Sequence, residues 1–92
     1  MAERPGWTFL SNHAHVLVCL ARDPEARLRD IAAEVGITER TANAIVSDLE
    51  AAGVLSITKV GRRNSYRLDR SARLRHPLES DKTVGDLLDG VS

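Results

Sequence analysis

The chain has 92 residues, 42% apolar and 28% charged, a composition that fits one small folded domain and excludes a chain that is mainly disordered. Thirteen basic and thirteen acidic residues cancel, yet Lys59 to Arg75 holds seven bases against one acid, a segment of +6 balanced by −6 elsewhere, which creates a local positive field on a neutral molecule. Cys19 is the only cysteine, which excludes an internal disulfide and a Cys-x-x-Cys motif, and no run is apolar enough for a signal peptide or a membrane span, so a cytoplasmic location is expected.

Residues 1–10 read as an N-terminal arm. In the stretch NHAHVLVCLARD, Ala14, Leu17, Val18 and Ala21 recur at helical spacing, with Ser11 as cap and Asp23-Pro24 as terminator. Val16 and Leu20 add a second apolar flank. Leu28, Ile31, Ala32 and Val35 predict a shorter second helix closed by Gly36. Thr38 caps a third, over 38–52, whose stripe of Ala42, Ile45, Val46, Leu49 and Ala52 is stopped by Gly53; Glu39 complements the helix dipole.

After Gly53 the period becomes two. Leu55, Ile57 and Lys59 share one face of a strand, Ser56, Thr58 and Val60 the other, and SYRL predicts a partner strand across the loop Gly61-Arg62-Arg63-Asn64. The stretch DRSARLRHPLES reads as an extended basic connector. Val84, Leu87, Leu88 and Val91 then form one face of a short C-terminal helix. An apolar face of that size needs cover, either by docking on the first helix of its own chain or by pairing with a partner chain; of the two, the expectation is a dimer interface built from both helices.

The break at Gly36-Ile37-Thr38 is too short for a side-by-side helical hairpin and favours a steep crossing, a helix-turn-helix with Ile37 plugging the junction. The outer face of the third helix then carries Glu39, Arg40, Thr41, Asn43, Ala44 and Ser47, short or hydrogen-bonding groups suited to base edges in a major groove. Arg62 and Arg63, between Gly61 and Asn64, suit phosphates or the minor groove. Lys59 and Arg67 on the strand flanks, and Arg29 and Arg40 near helix ends, suit phosphates.

The order helix, LRDIAAEVGITERTANAIVSDLEAAGVL, hairpin, GRRNSYRL resembles the winged helix-turn-helix of bacterial and archaeal regulators, close to the multiple-antibiotic-resistance (MarR) and arsenical-resistance (ArsR) types, over roughly residues 11–69. The resemblance implies an α+β, mainly α fold: three helices, a two-stranded wing and here a short C-terminal helix in 70–92. It implies that the third helix is the recognition helix, with Thr38, Arg40, Thr41, Asn43, Ala44 and Ser47 on DNA, that Gly61 to Ser65 is the wing with Asn64 beside its arginines, and that a homodimer binds a two-fold operator in double-stranded DNA. No cysteine lies between Leu28 and Leu49, where metal-sensing arsenical-resistance members carry theirs.

His13 and His15 point about 200° apart on a helix, so no metal site is expected within the chain; Cys19 reads as an inert interior thiol. No nucleophile with a nearby base, carboxylate pair or phosphate-binding glycine loop occurs, so neither enzyme activity nor a cofactor is expected. With three aromatics in all, a stacking platform for single strands has little support. The alternative left open is a winged-helix module that docks another protein without nucleic acid.

Overall fold

The computed structural model of the chain describes residues 5–92. Three helices, α1 (Asn12–Arg22), α2 (Leu28–Val35) and α3 (Glu39–Ala51), precede an antiparallel hairpin, β1 (Leu55–Val60) and β2 (Arg63–Leu68), and a last helix, α4 (Val84–Val91). This is the mainly α, winged helix-turn-helix arrangement expected.

Local chemistry places the breaks. The Ser11 hydroxyl accepts the Ala14 N–H at 3.2 Å and caps α1, whose carbonyl at Cys19 accepts the Asp23 N–H before Pro24 forbids continuation. Gly36 closes α2 in the left-handed region, φ 88°, a backbone position that costs other L-residues steric energy. Two residues later the Thr38 hydroxyl accepts the Thr41 N–H at 3.1 Å and starts α3, so α2 and α3 are separate helices, with Ile37 half-buried against the core between them.

The core is one cluster: Val16, Leu17 and Leu20 of α1, Ile31 of α2, Ile45, Val46 and Leu49 of α3, Val54, Leu55 and Tyr66 of the hairpin, and Val84 and Leu88 of α4. In α1 the face buried deepest is Val16 and Leu20, the pair read as a second flank, while Val18 and Ala21 are only partly covered. The reason is tertiary: α1 is packed by α2, α3 and α4 together, so its buried sector is wider than one stripe. Ala52, included in the α3 stripe, instead lies past the helix end and is exposed.

Two further expectations are corrected. The hairpin loop is Gly61-Arg62 alone, because Val60 pairs with Arg63 and Lys59 with Asn64; the positive φ of 66° at Gly61 permits this tighter turn. The segment after Asp69 is no extended connector but a closed excursion. Its ends are joined by backbone bonds from Val84 N–H to the Ala72 carbonyl (2.8 Å) and from Leu74 N–H to the Lys82 carbonyl (3.0 Å), and the Leu78 N–H bonds to His76 Nδ1 at 3.1 Å inside it.

α4 is built by a capping box: the Thr83 hydroxyl accepts the Asp86 N–H (3.1 Å) and the Asp86 carboxylate accepts the Thr83 N–H (3.0 Å). Those bonds favour the carboxylate and hold Asp86 below its ordinary pKa. The helix docks on α1 of its own chain. Val84 is 2% exposed and Leu88 0%, so these two residues cannot form the dimer interface assigned to them; of that face Leu87 is half-buried and Val91 exposed.

Candidate nucleic-acid interface

The reading face of α3 survives packing. Because Ala42, Ile45, Val46 and Leu49 point into the core, the 3.6-residue period turns Glu39, Arg40, Thr41, Asn43, Ala44 and Ser47 to solvent, and all six are exposed. They are not equivalent. The Thr38 hydroxyl donates to the Thr41 hydroxyl at 2.9 Å while capping the helix, so this pair is committed to holding the first turn. Arg40, Asn43, Ala44 and Ser47 keep their outer surfaces clear.

The hairpin separates its cations by register. Lys59, opposite Asn64, has the parity of Ile57 and Tyr66, which face the core, whereas Arg67, opposite Ser56, has the outward parity. Lys59 and Arg67 therefore lie on opposite faces of the ribbon. Arg62 occupies the turn and is exposed. Arg63, expected at the tip, is paired in β2 instead, and its guanidinium donates to the Glu25 carbonyl at 3.0 Å. Together with the bond from Tyr66 N–H to the Pro24 carbonyl (2.8 Å), this ties the wing to the α1–α2 loop. Asn64 donates to the Tyr66 hydroxyl at 3.4 Å.

Two more of the basic residues are structural. The Arg70 guanidinium pairs with Asp89 and donates to the Gly85 carbonyl, and Arg73 donates to the Ser80 carbonyl at 3.3 Å. Of the seven, Lys59, Arg62, Arg67 and Arg75 have no such tie among the described residues, and three of these four lie on the hairpin. Arg29 is exposed near the start of α2.

The interaction that sequence reading missed is the pair between His13 Nε2 and Asp48 Oδ2, 2.9 Å apart, which joins the start of α1 to the last turns of α3. Its partners are 35 residues apart in the chain, so no local signal marks it. His15 lies against Asn12. Among the described residues no group of three His, Cys, Asp or Glu could hold a metal, and no helix is long and apolar enough to cross a membrane.

A three-helix unit with a capped, outward-facing third helix followed by a cationic hairpin defines the class as a winged helix-turn-helix. Residues 12–56 match the family model of the winged helix-turn-helix DNA-binding domain. The match covers just under half of the chain, runs from the first residue of α1 into β1, and supports a DNA-binding domain of the kind found in transcription regulators. No curated protein matches the chain.

Proposed function

We propose that the protein is a sequence-specific transcription regulator, similar to the multiple-antibiotic-resistance and arsenical-resistance types, that acts in the cytoplasm as a homodimer on a short palindromic operator. In this reading the N-terminal half of α3 enters the major groove, where Arg40 and Asn43 offer hydrogen bonds to base edges and Ala44 and Ser47 allow close approach. Thr38 and Thr41 fix the helix start at the backbone, and Arg29 adds a phosphate contact. Arg62, Lys59 and Arg67 neutralise phosphates on either side of the wing, and Arg63 and Asn64 hold its shape there.

The observation that supports this most is that every polar residue on the outer face of α3 is solvent-exposed while its apolar stripe is buried. Of the assigned dimer face, Leu87 and Val91 remain available to a second copy; Val84 and Leu88 do not. Selection of bound duplexes from a random DNA pool at two salt concentrations tests the proposal. A palindromic consensus is expected. Failure to enrich any sequence would replace it with the protein-docking module.

A further inference from the structure

On the side of α1 that faces the end of α3 lies a groove of about 830 Å³, within the range of small-molecule sites. It is formed where three distant parts of the chain meet: the arm at Phe9 and Leu10, the last turns of α3, and the excursion from Arg73 to Glu79 that closes onto α4. Its apolar lining includes Leu17, Leu49, Leu74 and Leu87. Its lining includes two groups of opposite charge, Arg75 and Glu79, that are not within ion-pair distance of each other and have no other side-chain partner among the described residues. The other charged side chains of the lining are engaged: Asp48 with His13, and Arg73 with the Ser80 carbonyl.

We propose that this groove binds a free α-amino acid with a large apolar side chain. The carboxylate pairs with Arg75, the ammonium with Glu79, and the side chain lies against the leucines. Charge complementarity selects this occupant. A simple carboxylate would meet Glu79 as well as Arg75, an amine would meet Arg75, and only a zwitterion satisfies both. The site requires no DNA but shares Leu87 with the proposed dimer face, so the titration is run at a protein concentration where sedimentation shows a single mass throughout.

The chain supplies its own reporter. Trp7, the only tryptophan, packs edge-on against Phe9 with ring centroids 4.9 Å apart, and Phe9 lines the groove. Titration of the full chain with L-phenylalanine should change Trp7 emission to saturation, and N-acetylphenylalanine and phenylalaninamide, each lacking one charge, should bind about tenfold more weakly. Arg75→Gln should bind phenylalanine and its amide alike, and Glu79→Gln phenylalanine and its N-acetyl form alike. Both side chains are exposed, and an unchanged thermal midpoint confirms that the variants are folded. No saturation by phenylalanine or leucine up to about 10 mM, or equal binding of all three phenylalanine compounds, would each overturn the assignment.

Discussion

Gly85 and Gly90 sit five residues apart in α4, and only one has room to change. A Cβ on Gly85 would lie 3.0 Å from the backbone carbonyl oxygen of Arg70, the same oxygen that accepts the Gly85 N–H at 2.8 Å. That oxygen cannot move without losing the bond, so Gly85→Ala should destabilise by about 1–3 kcal/mol, more than the helix propensity gained. Gly90 has nothing within 4 Å of such a Cβ, and Gly90→Ala should stabilise by a few tenths of a kcal/mol, up to ~1. Urea midpoints of the two variants should therefore shift in opposite directions; a shift in the same direction would remove the close contact from the account. Cys19 is a second residue governed by its surroundings. Burial, then the charge and hydrogen bond of Glu34, raise its pKa from 9.0 to about 11. At pH 8 its thiolate should be about a hundredfold rarer than in the unfolded chain, and an aromatic disulfide reagent should react with the native protein correspondingly slower than in urea. Comparable rates would contradict this. Because the folded value lies above the unfolded one, the contribution of Cys19 to stability is present below pH 9 and is lost as pH rises from 9 through 11, where the unfolded chain ionises first.

At the scale of elements, α3 depends on its first turn. The Thr38 hydroxyl satisfies one of the free amides and orders Thr41, so Thr38→Ala should cost about 1 kcal/mol, measured by thermal or urea unfolding. An unchanged stability would mean that packing alone sets the start of α3. The wing separates two arginines that are neighbours in sequence. Arg62 makes no bond that holds the turn, whereas Arg63 is tied to the Glu25 carbonyl. Arg62→Ala should leave stability unchanged and make the slope of log affinity against log salt shallower by about one. Arg63→Ala should lower stability by about 0.5–1.5 kcal/mol. If Arg62→Ala left the salt slope unaltered, the wing tip would have no part in DNA binding. The His13–Asp48 pair is exposed on both sides, and such pairs contribute at most ~1 kcal/mol, so the packing of α1 on α3 rests on Val16, Leu17, Ile45 and Leu49 in the core.

At the scale of the whole molecule, α4 belongs to the same core as the helix-turn-helix. Leu88 and Val84 pack with Val16, Leu17 and Leu20 in one cluster. Leu88→Ala should cost about 2–5 kcal/mol, and helix content and the signal of Tyr66, buried in the same core, should be lost in one transition, because a single core unfolds as a unit. Two separate transitions would show α4 to be an independent appendage. For the same reason a chain shortened at Pro77 is expected to lose its fold rather than merely its association, so the homodimer is better tested by sedimentation of the full chain with the exposed Val91 replaced.

The sequence alone determined what depends on neighbours within a few residues. The caps at Ser11 and Thr38, the left-handed stop at Gly36, the change of period after Gly53 and the face of α3 left to solvent all follow from short-range geometry, and they are legible in the order of the residues. The fold class followed from their succession. Tertiary structure decided which partners distant groups find. Arg63 meets Glu25 across 38 residues and Arg70 meets Asp89 across 19, which turns charges that look available for DNA into internal ties. It likewise consumed Val84 and Leu88 in the core of their own chain, tightened the wing turn to two residues, and gathered Phe9, Asp48 and Arg75 around one groove. Charge and apolarity can be counted along a chain, but whether a given side chain is free depends on what folds against it, and that contact is made through space.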